Sequence, residues 1–160
     1  MKYIQTILLS IIISTTAPAQ LVVQVHDADT YTLLVNGKLQ NVRLENVDAP
    51  ELKQHYGTNA RDSVKALIEG KIVAATFGNN DLYGRKLVSI CINGQALDSI
   101  LISHGYAWHY KQYSHKQDLS ICEAAARAKC IGLWLCPEPV PPWAWRKLNA
   151  RNKRLYGMCH

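Results

Sequence analysis

The fold class that this sequence predicts is α+β, a small barrel of five β-strands carrying about three helices. Three observations point to it. Five β-branched or alternating segments are separated by turn signals; one helical pattern follows the third segment and two more follow the fifth; and no repeat, low-complexity tract or linker divides the 160 residues. Apolar residues make up 48% and charged residues 19% of the chain, which excludes a disordered segment, and 5 cysteines are too few for a disulfide-dense scaffold.

The elements follow in chain order. Leu21 to Val25 is apolar and β-branched, and Thr30 to Val35 continues that composition up to Asn36-Gly37, a hairpin turn signal. Leu39 to Val47 alternates, with Val42, Leu44 and Asn46 on one face and Arg43, Glu45 and Val47 on the other; Pro50 ends this third strand. Thr58 is a good N-cap, and Ala60, Val64, Leu67 and Ile68 have helical spacing up to Gly70. Ile72 to Phe77 and Leu87 to Ile92 are strands again, separated by a Gly-, Asn- and Asp-rich loop from Gly78 to Arg85. After the Asn93-Gly94 turn, Ala96, Leu97, Ile100 and Leu101 form a short amphipathic helix closed at Gly105, and Ser114 to Cys130 is a third helix. This order matches an OB-type barrel with added helices.

The N-terminus carries a different signal. Met1-Lys2, the apolar run Ile4 to Ile13 and the small residues of Ala17-Pro18-Ala19 read as an export signal over residues 1–19, too short for a membrane span of about 20 residues. Its removal leaves 141 of the 160 residues and takes one lysine, so the charge falls from +6 to +5. A basic domain in an oxidising compartment is the result, periplasmic or extracellular and without a membrane segment. Cys122 and Cys130 are eight residues apart on one helix, about 12 Å, beyond disulfide reach. A bridge from Cys159 on the tail to Cys130 or Cys136 is the kind that the spacing allows.

The candidate chemistry lies at strand ends. His26-Asp27-Ala28-Asp29-Thr30 puts two carboxylates at the junction of the first two strands, and the run from Val42 to Glu51 ends its strand in Asp48 and Glu51, with Arg43 before them. Grouped acids repel one another unless a cation sits among them, and an all-oxygen set suits a hard divalent ion. Asp81-Leu82-Tyr83-Gly84-Arg85 adds a second arginine, a side chain whose planar fork matches phosphate. Two arginines and three acids on a basic barrel suggest metal-assisted phosphodiester cleavage. A nonenzymatic barrel that binds single-stranded nucleic acid by charge and stacking is the alternative, but acids in the path of a polyanion oppose its binding unless a metal offsets them.

Together with Gly105-Tyr106-Ala107-Trp108, Glu123-Ala124 through Ala128, Gly132-Leu133-Trp134 and Pro142-Trp143-Ala144-Trp145-Arg146, these motifs identify a resemblance. Over roughly residues 20–147 the chain resembles the staphylococcal nuclease, or thermonuclease, family of secreted calcium-dependent nucleases, in its bacterial, often periplasmic branch; 148–160 is then a basic tail. The resemblance implies Ca2+ bound by Asp29, Asp48 and the backbone carbonyl of Ala49, with Asp27 an acid behind them. It implies Glu51 as general base, Arg43 and Arg85 as phosphate-binding catalytic residues, and Tyr83 and Tyr113 as nucleotide-binding aromatics. It further implies hydrolysis of DNA and RNA, single strands preferred, 3′-phosphate products and a monomeric protein. Ala28 stands where the family has glycine, a costly exchange only if that residue needs a positive φ. The four tryptophans, Trp108, Trp134, Trp143 and Trp145, read as packing residues, and Arg146, Lys147, Arg151, Lys153 and Arg154 read as a basic tail that either adds affinity for phosphates or is simply solvated.

Overall fold

The computed structural model describes residues 17–156 and 159, so all but the last three residues of the expected export segment lie outside the described residues. Strands β1 (Ala19–Asp27), β2 (Thr30–Val35) and β3 (Lys38–Leu44) form an antiparallel meander, the second turn being Asn36-Gly37 with φ of 50° and 75°. That pair of positive φ values is the geometry of a two-residue turn whose twist matches the flanking strands. The two-residue strand β4 (Val47–Asp48) follows, then helix α1 (Gly57–Ile68) and strands β5 (Ile72–Asn80) and β6 (Lys86–Ile92). β5 pairs antiparallel with β1 and with β6, and β6 pairs parallel with β3. The order β3-β2-β1-β5-β6 therefore returns to β3 and closes a five-stranded barrel with no free edge among these strands.

Beyond the barrel come β7 (Gln95–Ala96), α2 (Leu97–Ser103), β8 (Trp108–His109), α3 (Gln117–Ala128), a 3-10 turn (Gly132–Leu135), α4 (Pro142–Trp145) and α5 (Ala150–Tyr156). The core is filled by inward strand residues such as Val22, Leu33, Val42 and Val88, and by Val64 and Ile68 of α1 and Leu97 and Leu101 of α2. Among the described residues no helix is long and apolar enough to cross a membrane.

Several boundaries differ from the sequence reading for local reasons. The third strand stops at Leu44 instead of Val47, because Asn46 adopts φ 68° and turns the chain before β4. Helix α1 begins at Gly57, and Thr58 does not cap it: its hydroxyl donates to the Leu52 carbonyl at 3.2 Å, while Tyr56 at φ 66° occupies the cap position. A Cβ at Gly57 would collide with the backbone of Glu51 and Leu52, so only glycine lets this loop fold back on itself. The strand expected to end at Phe77 continues through a bulge to Asn80, and the third helix spans Gln117–Ala128, not Ser114 to Cys130. Ala28 is not among the residues of positive φ, so the exchange for glycine there carries no left-handed strain.

A second cluster joins the C-terminal part to the barrel. Trp108 meets Trp134 and Trp143 edge-on, with centroids 4.3 and 5.6 Å away, and the Arg127 guanidinium lies 3.7 Å over the Trp134 ring. Cys136 and Cys159 form a disulfide that ties the end of the chain beside this cluster, which selects one of the two bridges the spacing allowed; Cys91, Cys122 and Cys130 are free thiols.

His109 on β8 is 2% exposed, with Nδ1 on the Ser120 hydroxyl at 3.0 Å and, among the described residues, no partner for Nε2. Burial holds its imidazole below the usual histidine value of 6.5, with Lys111 adding to the effect and Glu123 opposing it. The unfolded chain then takes up a proton near that value while the folded chain does not, so stability falls as pH drops below it. The melting temperature is expected to decline from pH 7 toward pH 5, and less steeply in His109→Gln; parallel declines in the two proteins would remove His109 as the cause.

Candidate active site

The short connection from β1 to β2 brings Asp29 inside. Its backbone is pinned by the Tyr31 hydroxyl donating to the Ala28 carbonyl at 2.6 Å and by Leu44 N donating to Asp29 O at 2.8 Å. The Asp29 side chain accepts from Ala49 N at 2.6 Å and from the Thr30 hydroxyl at 3.1 Å, while Asp27 accepts from Asp29 N at 3.1 Å. This acid thus holds together the ends of β1 and β4.

Arg43, opposite Thr30 in the β2–β3 register, points at the same place. Its Nη2 lies 3.0 Å from Asp29 and 2.9 Å from Asp48, and Nη1 donates to the Leu44 carbonyl at 3.0 Å. The turn at Asn46, braced by its amide donating to Asp98 at 2.8 Å, returns the chain so that β4 pairs with β8 and buries Asp48 to 1% exposure. Three sequence-predicted residues on three segments therefore meet at one guanidinium nitrogen.

Glu51 stands at the rim, its side chain 42% exposed. Its amide donates to the Gln54 side chain at 3.2 Å, and Gln54 in turn donates to the Val140 carbonyl, so the loop is tied to the C-terminal segment. On the other side, Asp81 organises the β5–β6 loop by accepting from the backbone amides of Tyr83 and Arg85, both at 2.9 Å, and from Arg85 Nε at 2.8 Å. These contacts outweigh burial and hold the Asp81 carboxyl below its usual value. Arg85 also reaches the Thr30 hydroxyl at 3.3 Å, next to Asp29, and lies 5.6 Å from the Tyr83 ring. Tyr83 and Tyr113 are both exposed, and Tyr113 packs on Tyr110 with centroids 4.8 Å apart.

The electrostatics are those of an acid-rich pocket on a basic protein. Burial pushes the Asp29 carboxyl well up, with Asp27 and Asp48 adding and Arg43 opposing. Burial alone would weaken the charge on Arg43, but Asp29 and Asp48 more than offset it and raise its pKa. Two buried carboxylates, Asp29 and Asp48, offer oxygen donors here, and together they exceed what Arg43 alone neutralises. These residues fit a hard divalent cation such as calcium.

Two residues join the site that the sequence patterns did not assign to it. Arg146, read as the start of a basic tail, donates from Nη2 to Asp48 at 2.7 Å and from Nη1 to Asp48 at 3.2 Å and Glu51 at 3.0 Å. Its position directly after the buried Trp145 was the available signal. Tyr110 stacks on Trp143, with planes 10° apart and centroids 5.6 Å away, and its hydroxyl pKa is raised by burial and then by Asp48. It follows β8, the strand that pairs with Asp48, which is what brings it there.

Comparison with known proteins bears on what such a site does. The family model described as Staphylococcal nuclease homologue matches residues 41–136. An uncharacterized endonuclease of Escherichia coli O157:H7 is 40% identical over 126 residues, covering 78% of this chain and 82% of that protein. An uncharacterized endonuclease of Haemophilus influenzae is 36% identical, covering 82% and 74%. The staphylococcal-like nuclease CAN1 of Arabidopsis thaliana is 38% identical, covering 75% of this chain and 36% of its own longer length.

Proposed function

The chain belongs to the staphylococcal nuclease family of hydrolytic nucleases, and we propose that it is an exported, calcium-dependent member that hydrolyses phosphodiester bonds in DNA and RNA. The observation that carries this reading is the meeting of Asp29 and Asp48 on Arg43, with Glu51 joined to Asp48 through Arg146. Asp29, Asp48 and the Ala49 carbonyl would hold the calcium, which supplies positive charge to the scissile phosphate. Arg43 and Arg85 bind the phosphate oxygens, and their forks offset the charge that grows there as water attacks. Glu51, at the wet rim, accepts the proton of that water. Asp27 steadies Asp29 through its backbone amide. Tyr83 and Tyr113, both exposed, offer faces to unstacked bases, which favours single strands over closed duplex. The basic surface draws a polyanion toward the acids that would repel it without their cation. Departure of the 5′ oxygen leaves 3′-phosphate ends. The export signal over residues 1–19 sends the protein to the periplasm or the medium, and one chain is sufficient for this site.

End-labelled single-stranded and duplex DNA and RNA, incubated with the purified protein and calcium, test this reading. Shorter products that become ligatable only after 3′ dephosphorylation are expected, with single strands cut faster. A mobility shift with no cleavage under every condition would instead make the protein a nonenzymatic single-strand binder.

A further inference from the structure

Resting on the nuclease reading, we propose that Arg146 is the chain's own counter-cation: anchored on Asp48 and Glu51, it competes with the divalent ion for Asp48, and so sets the metal concentration at which the site loads. A carboxylate has about four lone-pair positions. Arg43 and Arg146 together place three N–H contacts on Asp48, two of them from Arg146, and among the described residues Arg146 is the ion-pair partner of Glu51. A cation approaching Asp48 meets a carboxylate with three of its positions already taken, and a positive charge beside it.

The two arginines differ in how firmly they are held. Arg43 is 11% exposed on a barrel strand and serves both Asp29 and Asp48. Arg146 is 44% exposed and its guanidinium is held by Asp48 and Glu51. Its backbone is fixed: Arg146 N donates to the Pro142 carbonyl at 2.9 Å, Trp145 is 4% exposed, and Trp143 is stacked on Tyr110. A long side chain on a fixed base can leave the acids for solvent without disturbing the fold. Arg43 cannot leave without stranding Asp29.

Calorimetric calcium titration of the purified chain tests this, comparing wild type with Arg146→Gln, Arg146→Lys and, as a charge control, Lys147→Gln, an exposed cation one residue away. Removing a half-exposed charge-assisted pair is expected to tighten calcium binding about five- to tenfold in Arg146→Gln. Arg146→Lys, which keeps the charge and loses the fork, is expected to tighten it about two-fold, and Lys147→Gln to change it less than that. Damage to the site's structure would weaken binding, the opposite sign. Unchanged or weaker affinity in Arg146→Gln, or equal tightening in Lys147→Gln, overturns the proposal. If Arg146→Gln does not fold, an unchanged affinity in Arg146→Lys overturns it. A wild-type protein that binds no calcium removes the calcium-dependent reading and this inference with it.

Discussion

Glu51→Gln is expected to lower single-turnover cleavage of a labelled oligonucleotide by about 10² to 10³-fold. The exchange keeps the shape of the side chain and its hydrogen-bonding reach but removes its capacity to take a proton. At 42% exposure, with a half-exposed arginine as its ion-pair partner, Glu51 contributes little to folding, and the melting temperature should change by no more than a surface ion pair accounts for, about 1 kcal/mol or less. Substrate affinity should hold or improve, since one negative charge has left the path of a polyanion. Wild-type turnover in the folded variant would remove Glu51 from the chemistry.

Arg43→Ala is expected to damage both activity and stability, and the second effect separates it from Arg85→Ala. Arg43 is the shared partner of Asp29 and Asp48, which are 4% and 1% exposed, so its loss leaves Asp29 without its cation and Asp48 with Arg146 alone. Breaking a buried pair in this way costs about 3 to 5 kcal/mol. Calcium should restore part of that stability, because the ion replaces the missing charge. Arg85 is one-third exposed and paired with Asp81 within its own loop, so Arg85→Ala should cost about 1 kcal/mol or less in stability. Each arginine is expected to be worth about 10² to 10³ in rate. Denaturant titrations with chelator and with calcium check the difference; wild-type stability of Arg43→Ala in chelator would contradict the shared-partner role.

The barrel was legible because its signals are local. Asn36-Gly37 and Asn93-Gly94 both turn with the positive φ values their residues favour, and the alternation around Val42 and Leu44 carries the inward face of β3. What escaped the sequence depends on contacts made far along the chain. Nothing near Val47 and Asp48 announces a two-residue strand, because its partner is Trp108-His109. Thr58 has the chemistry of a cap, yet the fold of the preceding loop onto Gly57 places its hydroxyl on Leu52 instead.

The site divides the same way. Asp29, Arg43 and Asp48 lie at strand ends, and closing the barrel is enough to bring them together. Arg146 is 95 residues from Glu51 and reaches it through a short helix wedged by tryptophans against β8. A proline-tryptophan motif followed by arginine reads as packing and charge until that helix is docked. Tyr110 was hidden likewise, its ring set by Trp143 and not by its neighbours in sequence.

The central claim is that the acids and arginines of this barrel act on a phosphodiester only with a divalent cation among them. Cleavage of single-stranded DNA by the purified wild-type protein, followed as a calcium chelator is added and calcium then returned in excess, tests it most directly. The account predicts that cleavage stops on chelation and resumes with calcium. Cleavage that continues undiminished in excess chelator would contradict it.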